Sequence, residues 1–337
     1  METIRTDTQE RRPSGALTEE EAQRDSRALE AIIQNIETVI KGKRSQVALV
    51  VMCLIAEGHV LIEDIPGVGK TSLVSALAKT VSCGYKRIQF TPDVMPSDVS
   101  GFSIYNQKTG EFEFRAGAAM SNIVLADEIN RASAKTQSAM LEIMEERQVT
   151  VDGSTYQMSR PYMVLATQNP IDSLGTYQLP EAQIDRFMVK LSLGYPEFED
   201  ELNVVLSGRQ AKREIRGIAS ADVVRVLISD CSRVHVSRVV GSYIVHITSA
   251  TRHNPNLKLG ASPRGSIALY QLSRAYALLQ GRTYVTPDDV RYLAPYVLAH
   301  RLILTQQAKN EKLDPAQLVK TIVGQVVVPV AGHTAAL

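Results

Sequence analysis

Cysteine is scarce: the 337-residue chain has three, Cys53, Cys83 and Cys231, odd in number and widely spaced. That excludes a complete disulfide framework and a four-thiolate zinc site, and it points to a reducing compartment. An excess of charge is also missing. Lys and Arg total 37 against 36 Asp and Glu, a net charge of +1, so there is no global basic field to hold a polyanion by counterion release. Nucleic acid is therefore disfavoured as a partner. The most apolar stretch, Val47 to Ala56, has ten residues, well short of the roughly 20 that cross a bilayer. The amino terminus carries acids throughout and lacks the early apolar core of a secretory signal. Together these absences place the protein in the cytoplasm. What remains is 44% hydrophobic and 22% charged, a globular composition long enough for one large or two ordinary domains.

Residues 1–27 read as a mobile leader, too polar to offset the entropy of ordering. From Ala28 to Ile40 apolar residues recur at helical spacing and stop at Gly42, and Ser45 to Glu57 reads as a second helix, apolar around much of its circumference. Strands and helices then alternate: strand His59–Ile62, helix Lys70–Val81, and strands Arg87–Phe90, Ile123–Ala126, Tyr162–Thr167 and Phe187–Leu191. That alternation predicts a mostly parallel sheet with helices on both faces, over 28–196. Two period-two segments, Phe102–Arg115 and another turning at Asp152–Gly153, predict hairpins inserted into this pattern. Residues 197–221 read as a linker, 222–310 as a helical domain with helices Ser266–Leu279 and Asp288–Leu304, and 311–337 as an unassigned carboxyl segment. No repeat of solenoid length is apparent. His235, His246 and His253 lack zinc-site spacing and read as structural; Met140 and Met144 read as core.

The chemistry concentrates where the first strand meets its helix. Asp64, Ile65, Pro66, Gly67, Val68, Gly69, Lys70, Thr71 and Ser72 form a glycine-rich bend whose amides and helix end suit a polyphosphate. Lys70 would bridge the outer phosphates and the Thr71 hydroxyl would bind Mg²⁺. Asp64 stands where the general pattern has Gly, and a solvated Gly-rich turn is the competing reading. Asp127 and Glu128 follow a buried strand, 57 residues after Lys70. There Asp127 can hold the metal while Glu128 orients and deprotonates an attacking water. Asn169, at the end of the next strand, could contact the γ-phosphate or position that water, although Asn169-Pro170 also reads as plain turn chemistry.

With these residues in place, the chain resembles the AAA+ ATPases and, within them, the MoxR family. The resemblance runs from about Ala28 to Leu304 through GHVLIEDIPGVGKT, RIQFTPDVMPSDVSG, IVLADEINRASAKTQSAMLEIMEERQVT, ATQNP, GTYQLPEAQIDRF and GASPRG. It implies a five-stranded α/β core of strand order 5-1-4-3-2 followed by an all-α lid, with the hairpins as the helix-2 and pre-sensor insertions. It also implies an ATP- and Mg-dependent hydrolase working as a chaperone-like remodelling motor, a homo-oligomeric hexameric ring, and a von Willebrand A domain partner. By the same resemblance Arg186 matches an arginine finger acting on a neighbouring subunit. Arg264, started by Ser262 and Pro263, matches the second sensor, aimed back from the lid toward the γ-phosphate. Gly42 matches the place where backbone meets adenine, and Arg131 either acts across the interface or pairs on the surface. A P-loop kinase, a DNA-dependent motor or helicase loader, and a magnesium-chelatase-like subunit are the alternatives.

Overall fold

The computed structural model describes residues 15–170, 177–207 and 215–328. Helix α1 spans Glu19–Glu37. The Thr18 hydroxyl accepts from the Glu21 N–H while the Glu21 carboxylate accepts from the Thr18 N–H, a reciprocal cap with acids at the positive helix end. The helix thus begins well before Ala28, which corrects the leader expected over 1–27: residues 15–27 belong to the fold, with Leu17 and Ala22 buried. Long-range pairing is the reason. Arg233 reaches Glu21 at 2.9 Å and Arg24 reaches Asp230 at 2.9 Å, while Gln23 and Ser26 donate to the Gly281 and Leu279 carbonyls. Residues 1–14 lie outside the described residues.

The core continues with α2 (Arg44–Ile55), β1 (Val60–Glu63), α3 (Lys70–Thr80), β2 (Tyr85–Gln89), α4 (Pro96–Ser100), β3 (Gly101–Asn106), β4 (Glu111–Ala116) and β5 (Ile123–Asp127). Then come α5 (Ala134–Glu146), β6 (Gln148–Val151), β7 (Ser154–Gln157), β8 (Met163–Gln168), α6 (Glu181–Ile184) and β9 (Val189–Leu191). The five-stranded sheet is ordered β2-β5-β8-β1-β9, every pairing parallel. Counted along the chain, its strands lie 5-1-4-3-2, as the resemblance implied. Strand residues alternate between two apolar layers. Val60, Ile62, Ile123, Leu125, Met163 and Leu165 join the layer that holds α1, α2 and α3, whereas Leu61, Val124, Ala126, Val164 and Ala166 face α5. Burial on both sides explains why these strands read as continuous apolar runs. Both hairpins form as expected, β3 with β4 and β6 with β7, and Phe114 stacks on Tyr156 with centroids 3.9 Å apart.

Beyond the sheet lie α7 (Phe198–Ser207), inside the expected linker, then α8 (Ala221–Arg233), α9 (Arg238–Arg252), β10 (Leu257–Leu259), α10 (Pro263–Leu279), α11 (Pro287–Leu298), β11 (Ile303–Leu304), α12 (Gln306–Asn310) and α13 (Pro315–Gln325). The α11 helix stops at Leu298 rather than Leu304, because a 3-10 turn carries Arg301 inward to Asp185 and the chain then pairs with β10. The helix α13, in the segment left unassigned from sequence, packs on α11 and α9. α10 packs against α1 and α2, so the helical part shares one apolar cluster with the sheet.

Candidate active site

Strand β1 ends at Glu63 and delivers the glycine-rich bend to α3, whose first turn has no side-chain cap. Its leading amides are therefore donors awaiting an acceptor. Gly67 and Gly69 take φ of +90° and +95°, and a Cβ on either would meet nothing within 4 Å. Left-handed backbone facing open space is what a loop wrapping an anion requires. Thr71 and Ser72 are exposed at the helix start. The Lys70 ammonium donates to the carbonyls of Asp64 (2.7 Å) and Ile65 (3.2 Å). Burial lowers its pKa, opposed by the charges of Asp64, Asp127 and Glu128.

Asp64 is no phosphate ligand. Its buried carboxylate accepts from the Leu193 N–H (2.6 Å), the Gly194 N–H (2.9 Å), the Ser192 hydroxyl (3.1 Å) and the Ile65 N–H (3.0 Å). It therefore ties the start of the bend to the segment leaving β9. That segment runs on to Tyr195, whose carbonyl accepts from Lys43 at 2.7 Å, and to Asp200, whose carboxylate occupies the space that a Cβ on Gly42 would take. Gly42 takes φ +66°, and its missing side chain is what allows this approach.

The acid pair ends β5, the strand next to β8 in the sheet. The Thr167 hydroxyl on β8 donates to Asp127 at 2.6 Å and accepts from the Glu128 N–H at 2.8 Å. One side chain thus fixes both acids, and Glu128 sits in the left-handed region at φ +56°. Arg87 donates from Nη2 to Asp127 at 2.6 Å. The Glu128 carboxylate accepts from Gln89 (3.2 Å) and Arg131 (3.1 Å), so Arg131 pairs locally. Asn169, buried, follows β8, whose Gln168 is in register with Glu63 of β1. Phosphate loop, acid pair and Asn169 therefore converge at the carboxyl ends of three central strands, the usual ligand crevice of such sheets. Sequence reading missed Arg87, Gln89 and Thr167. The signal for the first two was the period-two alternation in Arg87-Ile88-Gln89, which puts both polar residues on one side of an edge strand.

Arg186 and Arg264 lie elsewhere. β1 and β9 run parallel with Val60 opposite Val189, so Arg186 precedes the amino end of the sheet whose carboxyl end carries the phosphate loop. The four residues of β1 alone separate the two by about 13 Å. Arg264 stands with Arg186, not with the phosphate loop: both contact Glu145 of α5, Arg186 Nε at 3.1 Å. This corrects the expected aim of Arg264. The physical reason is the packing of α10 on α1 and α2, which carries the helix start to the far edge. Asp185 accepts from the Ser262 hydroxyl (2.7 Å) and from Arg301 Nε (2.9 Å). The buried Arg301 guanidinium also donates to the carbonyls of Asp185 and Phe187, bracing the segment that carries Arg186.

The model of the ATPase family associated with various cellular activities (AAA) matches residues 59–189, and that of the AAA lid domain matches 249–322. The protein YeaC of Bacillus subtilis, itself uncharacterised, is 52% identical over 88% of this chain and 94% of its own. Chaperone MoxR1 of Mycobacterium tuberculosis is 39% identical over 89% of this chain and 82% of its own. The chain belongs to the MoxR family of AAA+ ATPases. A crystal structure of a Cytophaga hutchinsonii protein assigned as an ATPase superposes on this MoxR-family chain with a TM-score of 0.86, at 38% identity, covering 93% of it and 98% of that protein.

The residues of this MoxR-family crevice fit a nucleoside triphosphate with its cation. Uncapped helix amides, an open glycine backbone and a half-buried ammonium match phosphate oxygens. Among the described residues no cluster of three or more His, Cys, Asp or Glu could hold a metal by itself. A hydroxyl and one carboxylate, Thr71 and Asp127, suit Mg²⁺, which keeps waters and takes its remaining oxygens from phosphates. No helix among the described residues is long and apolar enough to cross a membrane.

Proposed function

We propose that this protein hydrolyses ATP to ADP and phosphate at a site completed between neighbouring copies. The observation that carries the reading is the division of parts: phosphate loop, acid pair and Asn169 at one end of the sheet, Arg186 and Arg264 paired at the other. A copy placed head to tail would bring one set onto the other, the kind of contact that a closed ring repeats, such as the hexamer that the resemblance implied. In this reading the Pro66–Gly69 bend, through the N–H groups of Gly67, Val68 and Gly69, and the ammonium of Lys70 would bind the phosphates, Ser72 and Gly42 would flank the nucleotide, and Thr71 and Asp127 would hold Mg²⁺. When bound, that ion neutralises charge on the β- and γ-phosphates.

Glu128 takes a proton from water as the water oxygen bonds the γ-phosphorus and the bond to the ADP oxygen breaks. Asn169 orients that water. Arg186 from the neighbour neutralises charge as it develops on the transferred group, and Arg264 acts beside it. Glu128 must first leave Gln89 and Arg131, so those two contacts set a resting state. Turnover would drive chaperone-like remodelling of a protein client, with a von Willebrand A domain protein as partner. This agrees with the name of the mycobacterial relative, a chaperone. Three free cysteines, two of them buried, support placement in the cytoplasm.

Mixing decides the matter. Glu128→Gln and Arg186→Ala should each be inactive alone, yet recover turnover when combined, since some interfaces then pair an intact acid with an intact arginine. Absence of recovery in a mixed, co-assembled sample refutes the shared site.

A further inference from the structure

We propose that Glu145 is a placeholder anion, whose carboxylate holds the Arg186 and Arg264 guanidiniums together until phosphate oxygens of a neighbouring copy's nucleotide displace it. The inference rests on the reading that both arginines act across a subunit boundary.

Four arginines line a cavity of about 430 Å³ at this edge, Arg147, Arg186, Arg264 and Arg301. Two are committed elsewhere. Arg147 binds the Glu57 carboxylate at 2.6 Å and the Glu57 carbonyl at 2.7 Å, and Arg301 is buried on Asp185 and backbone carbonyls. Among the described residues, Arg186 and Arg264 have only Glu145 as an ion-pair partner, and they share it. Two guanidiniums brought this close repel each other unless an anion lies between them.

The sharing is loose. Arg186 Nε is 3.1 Å from the carboxylate but makes no aligned hydrogen bond. The three side chains keep 28%, 46% and 38% of their surface in water for Arg186, Arg264 and Glu145. Exposed pairs of this kind are weak and screened. A triphosphate brings more charge and several oxygens, and guanidiniums favour such forked acceptors. The backbone need not move in the exchange. Asp185 accepts from Ser262, the residue that caps α10, so the chain bearing Arg186 and the helix bearing Arg264 are already fixed to each other. Only the Glu145 side chain has to rotate out.

Removing the Glu145 charge should therefore tighten assembly only when a γ-phosphate is present. Self-association is measured by sedimentation velocity in a Glu128→Gln background, in which ATP persists, with ATP and Mg²⁺ or with ADP and Mg²⁺. Glu145→Gln and Glu145→Ala should each lower the half-assembly concentration with ATP by roughly fivefold, the size of one or two exposed ion pairs, and leave it unchanged with ADP. Equal or weaker assembly with ATP in either variant, once its unfolding midpoint matches the parent, overturns the proposal. Arg186→Ala in the same assay separates the two readings. If it abolishes the ATP-dependent gain, the shared site stands and the Glu145 variants judge the placeholder; if it assembles like the parent, the shared site itself fails.

Discussion

Replacing Asp64 with Ala tests how the phosphate loop is held. The carboxylate accepts from two backbone N–H groups beyond β9, at 2.6 and 2.9 Å, and from the Ser192 hydroxyl at 3.1 Å. Hydrogen bonds to a charged acceptor contribute about 1.5–3 kcal/mol each, and a buried donor left unsatisfied costs about 1–3 kcal/mol. Water can reach the partly exposed Gly194 and Ser192, so one bond's full loss and part of a second is a sensible total, about 2–4 kcal/mol. Some of that appears as a lower unfolding midpoint, on the order of 1–2 °C for a chain of this length. The rest appears in binding, because a bend freed from β9 must be ordered by the nucleotide. An ATP affinity weaker by roughly 10- to 100-fold corresponds to about 1.4–2.8 kcal/mol. Asp64→Asn should do no better, since its amide NH₂ would face groups that are themselves donors. Calorimetric titration with ATP and Mg²⁺, beside thermal unfolding of the same samples, reads both parts. If Asp64→Ala binds ATP as the parent does and unfolds at the same temperature, Asp64 is not what positions the loop.

Four further outcomes follow from the same geometry. Glu128→Gln should bind ATP normally and hydrolyse it at least about 100-fold more slowly; single-turnover assays with labelled ATP check this. Arg186→Ala should lose about 10³–10⁵ in turnover with little change in nucleotide affinity, and a merely local ion-pair role predicts no such loss. Gly42→Ala would strain a left-handed residue and press on Asp200, so unfolding should show a loss of about 1–2 kcal/mol. Burial, with a further contribution from Asp230, pushes the Asp25 carboxyl up to about 6 from 3.8, although Arg24 opposes the shift. An acid raised in the folded state adds stability below its unfolded pKa and loses it as pH rises through the folded one. The parent should therefore lose stability from about pH 4 to pH 6, and Asp25→Asn should flatten that slope in a pH series of unfolding midpoints.

Much of the crevice was legible because its determinants are local. A glycine bend after an apolar run, and two acids at the end of another, reveal both residue type and position at a strand's end. The five sheet strands were readable for the same reason, being short, apolar and bounded by turns. What escaped depends on partners far away in sequence. The polar first turns of α1 look too hydrophilic to fold until Arg233 and Asp230 of α8 come alongside. The apolar pattern of α11 continues to Leu304, but the pull of Asp185 on Arg301 ends the helix. Arg264 sits in a helix start whose signals were all visible, yet its neighbours are set by where α10 packs. Thr167 looked like one more buried strand residue; only the pairing of β8 with β5 makes its hydroxyl the bridge between Asp127 and Glu128.

The stack of Phe114 on Tyr156 joins the two hairpins that project from the core. The β6–β7 hairpin is rooted at the amino end of the sheet, and two elements connect it to the chemistry at the other end. α5 begins just past Glu128 and runs into β6, while β7 leads through β8 to Asn169. A shift of Glu128 or Asn169 on loss of a phosphate would reach the β6–β7 arm through both its roots, and the ring contact would then drag the β3–β4 arm along. The tip of that second arm carries Tyr105 and Phe112, 53% and 73% exposed. Two protrusions separated by some thirty residues of chain would thus travel as one aromatic-tipped finger, its stroke timed by the γ-phosphate.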